Sequence, residues 1–374
     1  LFPWSRTVRK GFFLLVSLLA SCTSQVEQSA DFSPVEQVEQ VEQVELLRAA
    51  LSQDQSQGGL NLSIKVFEGE QLDGLTARMM RPVAFAETRY IPYLLKQVLE
   101  ESGYWGAVRV VPQADPTAEL SLQGRILYSD GFQLEVHILC RDSTGRVWLN
   151  QVYQDRASLV DYPDEIAVAE DPFRDLYVRL ANDLALSLKV QSARTRSIVL
   201  DAALLRYAQA LSPETFAGYL KPDEHDQLRI QGLPARDDPM YERVLRIRQS
   251  EYDFIDAVDE QYQVVFNRMK IPYAYWRKNS FEFEYYNRRL AAKSAQKRNR
   301  VDVRYESMLR VYKQFQDRRH NEDELRQMAS SFDAELSPII TRVEGQLIQL
   351  VGNLEGQYER WRNLLKQLYR LEHN

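Results

Sequence analysis

Ser294-Ala295-Gln296-Lys297 has the S-x-x-K spacing, in which a lysine one helical turn away can activate a serine nucleophile. Such an enzyme also needs a K-T-G-like strand and an S-x-N triplet, and the chain has neither. The four residues fall in a polar helical stretch, where exposed side chains account for them better. No phosphate-cradling glycine loop, H-E-x-x-H, G-x-S-x-G or C-x-x-C occurs. Asp161, Asp164, Glu165, Glu170, Asp171 and Asp175 crowd together as hard cations prefer, but without EF-hand spacing. A solvated loop and a helix cap are the simpler reading, and no metal or other cofactor is expected. His137 alternates with Val136 and Ile138, which places it on the outer face of a strand. Cys140 falls on the inner face as a small hydrophobe. The chain is expected not to be an enzyme.

The most unusual chemistry lies in residues 273–320, where thirteen basic residues face five acids. Arg288, Arg289, Lys293, Lys297, Arg298 and Arg300 form its sharpest part, preceded by Tyr273, Tyr275, Trp276, Phe281, Phe283, Tyr285 and Tyr286. Cations among aromatics suit an anionic surface or an acidic partner. Nucleic acid is not expected, because the 374-residue chain carries a net charge of −6 and cannot rely on neutralising phosphates. Arg288, Arg289, Lys293, Lys297, Arg298, Arg300, Tyr275 and Trp276 are the candidate contact residues. The competing account is a solvated helix face over a local aromatic core.

Cys22 is a third kind of site. Arg6, Arg9 and Lys10 precede the apolar run Gly11–Ala20, which is too short for a bilayer and has the form of a secretory signal. Leu19-Ala20-Ser21-Cys22 then resembles the lipobox of bacterial lipoproteins. That resemblance implies cleavage after residue 21, acylation of Cys22 with palmitate-like chains, and anchoring by lipid alone. Thr23, in place of Asp, implies sorting to the periplasmic face of the outer membrane. The chain opens on Leu1 rather than Met, so an alternative start codon or an upstream start is expected.

The elements that must carry these residues divide the chain into five parts. Residues 1–21 form the signal peptide. Residues 22–58 are an acylated tether with a Val-Glu-Gln repeat, whose period of three buries no face. Residues 59–158 read as an α+β domain. Leu60–Val66 alternates as a strand, 89–102 is helical and ends at Gly103, and Val108–Val111 is a second strand. A three-strand meander follows, turned by Asp130-Gly131 and by Asp142-Ser143-Thr144-Gly145. The run Ala118–Tyr153 resembles the small periplasmic α+β domains of penicillin-binding-protein-activator and curli-secretion lipoproteins and of TolB N-terminal domains. This implies a non-enzymatic binding domain and carries over no catalytic residue.

Residues 159–236 hold five of the 14 prolines and read as a connector with short helices, one of them started by Asp171-Pro172 and burying Phe173, Leu176, Leu180 and Leu184. Residues 237–374 read as long helices opened at Pro239, Pro272 and Pro338. In the last, Ile340, Leu347, Leu354, Trp361 and Leu368, with Val343, Leu350, Leu364 and Leu371, keep a heptad. Gly345, Gly352 and Gly356 would lie on its far side, as a candidate face for close helix packing. The expected fold is α+β: a small sheet domain followed by an elongated, coiled-coil-like helical domain. The expected role is that of a scaffold or adaptor in the cell envelope, with an envelope protein as partner. Binding of peptidoglycan or lipopolysaccharide through residues 273–300 is the alternative.

Overall fold

A computed structural model describes residues 44–49, 59–69, 75–163, 170–235, 237–296, 336–343, 346–352 and 354–371. The signal peptide with Cys22 and the Val-Glu-Gln tether lie outside the described residues. Strand alternation builds a five-stranded mixed sheet in the order β2-β1-β3-β4-β5. Its strands are β1 (Leu62–Lys65), β2 (Val108–Val111), β3 (Leu120–Ser129), β4 (Gln133–Asp142) and β5 (Val147–Arg156). β1 runs parallel to β2 and β3, and the remaining pairs are antiparallel. The rows Leu122–Cys140–Leu149 and Ile126–Val136–Tyr153 are buried, while Arg125, His137 and Val152 share the opposite, wetter face. Each turn has its own chemistry. Asp130 accepts hydrogen bonds from the backbone N–H groups of Phe132 and Gln133, both at 2.7 Å. Asp142 accepts from Thr144 N at 2.9 Å, and Gly145 takes the left-handed φ of +90° that the turn requires.

Crossover helix α1 (Leu75–Ser102) begins earlier than its periodicity predicts. Within residues 159–236, read as a connector with short helices, two of the helices are long and packed. α2 (Arg174–Lys189) buries Leu176, Leu180 and Leu184, and α3 (Ala193–Leu211) buries Val199, Leu205 and Leu211. Prolines fall at element boundaries here: Pro213 opens α4 (Pro213–Phe216), and Pro222 ends β6 (Leu220–Pro222), which pairs with β7 (Leu228–Ile230). Their density marks many short elements, not a lack of packing.

Helix α5 (Pro239–Gln296) runs 58 residues, about 87 Å at ~1.5 Å per residue, straight through Pro272. The expected break does not occur. A helical proline costs about 3 kcal/mol, but Met269, Tyr273 and Trp276 around it are all buried, each contributing roughly 1.5–3 kcal/mol. The end of the chain also differs from expectation. Instead of one heptad helix from residue 338, strands β8 (Leu336–Val343) and β9 (Gln346–Gly352) form a hairpin, and α6 (Leu354–Leu371) follows. Ile339, Ile340, Val343, Ile348 and Val351 are β-branched, so the segment suits strands even though a period of seven can be drawn through it. Gly352 pairs with Leu336 at a strand end, Gly356 lies in α6, and Gly345 is outside the described residues. The expected packing face on Gly345, Gly352 and Gly356 is therefore corrected.

Only the last part of the heptad forms a helix. In α6, Tyr358, Trp361, Leu365 and Tyr369 are buried, and Trp361 stacks on Phe254 of α5 at 4.9 Å. Arg243 reaches Leu368 O while Phe254 meets Tyr358, so α6 runs antiparallel along the start of α5, within one chain.

Candidate functional site

α5 is the spine against which the other elements are fixed, and two arginines lock it. Arg248 donates to Thr117 O and Thr117 Oγ1 in the β2–β3 loop at 2.9 and 3.0 Å, and to Glu251 at 2.9 Å. Arg362 of α6 completes the cluster, 3.1 Å from both Asp115 and Glu251. Two buried acids thus face two arginines. Burial pushes the Asp115 carboxyl up, but Arg248 and Arg362 outweigh it and hold the group below its ordinary value.

The second lock lies 29 residues on, about 43 Å along the helix. Arg277 is fully buried (0% exposed). It donates to the Asp130 carbonyl at the hairpin tip and to the Tyr273 hydroxyl at 2.8 Å, and sits 3.1 Å from Glu87 of α1. Tyr273 donates to the same Glu87 at 3.0 Å, as does Ser129 at 2.8 Å. Gly131 N donates to Ser280 Oγ at 3.2 Å, and the Tyr162 hydroxyl donates to Gly131 O. The hairpin tip, α1 and α5 therefore meet around one guanidinium.

Beside this lock a cleft of about 280 Å³ opens between α1, the start of α2 and α5. Tyr90, Tyr177, Phe266 and Tyr273 supply aromatic walls, and Asp171 supplies a carboxylate. Asp171 is partly buried and accepts from Phe173 N at 2.9 Å. Desolvation pushes its pKa up to about 6; Arg277 pulls it down, while Glu87 and Asp155 add to the rise.

The sequence candidates separate. Trp276 (2% exposed) is core, as are Tyr273 and Phe281, so the aromatic half of the stretch serves mainly to dock α5. Tyr275 is 47% exposed, and Arg289, four turns on along the same face, is exposed too. Arg288 lies over the Phe132 ring at 3.9 Å and so continues the docking face. Lys293, Lys297, Arg298 and Arg300, with the S-x-x-K serine Ser294, lie outside the residues whose side chains are described. The acidic run is put to local use where it is described: Asp161 accepts from Ser158 N at 2.7 Å, and Glu170 pairs with Arg174. His137 meets Asn150 at 2.7 Å on the outer face, and burial raises the Cys140 thiol to about 12.

Searched against protein-family models, curated proteins and solved structures, the chain matches none. The site therefore rests on its own geometry. Sequence reasoning missed Arg277, Glu87 and the Asp115–Arg248–Glu251–Arg362 cluster. Tyr273, Arg277 and Phe281 follow one another at i, i+4 and i+8, and a cation inside such an apolar stripe is the signal of a buried one.

Proposed function

We propose that the protein is a lipid-anchored lipoprotein of the bacterial outer membrane, facing the periplasm, that serves as a non-enzymatic adaptor or scaffold in an envelope assembly. The anchor is supported by the Leu19–Cys22 lipobox and the signal-like segment before it. Among the described residues no helix is long and apolar enough to cross a membrane. The adaptor role rests on one observation: α5 is clamped to the sheet domain at Arg248 and Arg277, and on either side of the second clamp it turns Tyr275 and Arg289 to solvent. A helix fixed in this way presents a contact face in a set direction, which lowers the ordering cost of binding an envelope protein.

The alternative, peptidoglycan or lipopolysaccharide binding through residues 273–300, keeps Tyr275 and Arg289 but loses Trp276 to the core. A photo-crosslinking residue at position 275 of the anchored protein separates the two. Crosslinks to one envelope protein, lost on Arg289→Glu, support the adaptor. Retention on isolated sacculi or lipopolysaccharide, without a protein crosslink, favours the polymer.

A further inference from the structure

The cleft beside Arg277 has features that docking α5 does not require. Four aromatic rings, Tyr90, Phe266 and Tyr273 among them packed on one another, give it an apolar wall. Two of the three cations that line it are already engaged. Arg174 is held by Glu101 at 2.7 Å and by Glu170 at 3.4 Å, and Arg277 by Glu87 at 3.1 Å. Asp171 has no ion pair within 4 Å among the described residues and shares the charge of Arg277 with Glu87. Tyr177, 2% exposed, lines the cleft, and its buried hydroxyl has no hydrogen-bond partner among the described residues. A buried hydroxyl without a partner is costly unless something enters to satisfy it.

We propose that this cleft binds a free, small organic ammonium compound, its charged nitrogen against Asp171 and the Tyr177 hydroxyl, its apolar body against Tyr90, Phe266 and Tyr273. The volume suits a compound of about ten heavy atoms, at the lower end of ordinary ligand pockets. An anion is disfavoured, because Glu101, Glu170 and Asp171 all line the cleft and only Lys270, exposed at the rim, would meet it without competition from a paired acid. The site is independent of the anchor and of the outward face of α5.

The test is calorimetric titration of the full-length protein in detergent, with phenethylamine as the probe and 3-phenylpropionate as its anionic counterpart. Phenethylamine binds and the carboxylate does not. Asp171→Asn weakens the amine at least about tenfold, and Tyr177→Phe weakens it by a few-fold to about tenfold. Ile271→Trp, at an exposed position on the cleft wall, blocks the site without changing its charge and carries the test should Asp171→Asn not fold. Binding of the carboxylate in place of the amine overturns the proposal. So does amine binding that is unchanged in either Asp171→Asn or Ile271→Trp.

Discussion

Gly131 at the tip of the β3–β4 hairpin lies so close to Phe281 of α5 that a Cβ there would stand 2.2 Å from the Phe281 nitrogen and 2.4 Å from the Arg277 carbonyl oxygen. Both neighbours are backbone inside a helix and cannot swing aside. Gly131→Ala must therefore push the hairpin off the helix, at a cost of about 2 kcal/mol or more. Gly218→Ala, where an added Cβ meets nothing within 4 Å, changes stability little by comparison. Urea unfolding of the two variants measures the difference.

Arg277 is the partner of that contact. Arg277→Leu leaves the buried Glu87 without its cation and removes the positive charge that faces Asp171, which costs about 3–5 kcal/mol. Adding Glu87→Gln removes one of the stranded charges and restores part of the loss. Equal stability of the single and double variants would mean that the ion pair is incidental and that packing alone fixes the hairpin.

How far the sequence carries is visible at this same junction. Asp130-Gly131 is legible as a turn, because hairpin chemistry is local. The glycine's second task, admitting the backbone of a helix 150 residues later, is not local and leaves no trace in the spacing. The sheet was readable throughout for the same reason: period-two alternation needs only neighbours. The C-terminal heptad misled because Ile340, Leu347 and Leu354 fit a period of seven, yet β-branched density and the hairpin register place the first two in strands. Tyr275 and Trp276 both read as a contact surface because aromatics beside cations look alike whether the face is wet or packed. Only tertiary contacts separate Tyr275 from Trp276.

Asp171 and Asp115 give opposite pH dependences. The Asp171 pKa rises from its ordinary 3.8 to about 6 on folding, so the native state holds this proton more tightly and stability falls as pH rises between those values. Asp171→Asn therefore raises stability at pH 7.5 relative to wild type, and the gain disappears below about pH 4. Asp115, held below 3.8, contributes stability that is present at neutral pH and lost as pH falls below that value. Thermal melts at pH 3, 5 and 7.5 distinguish the two, and a gain independent of pH in Asp171→Asn would contradict the first.

Arg362 ties α6 to two buried acids, so Arg362→Ala should loosen α6 before the sheet. The expected cost is about 1–3 kcal/mol, with faster amide exchange confined to α6 and the facing part of α5. Uniform loss of protection would instead mean that α6 and the sheet unfold together.

Cys22 carries the claim that the protein is lipid-anchored in the envelope. The direct measurement is radiolabelled palmitate incorporation and membrane fractionation of the full-length protein and of Cys22→Ser, expressed in a Gram-negative host. The wild-type chain is expected to take up label and sediment with outer membranes, and the variant to lose the label and leave that fraction. Palmitate labelling and outer-membrane retention unchanged in Cys22→Ser would contradict it.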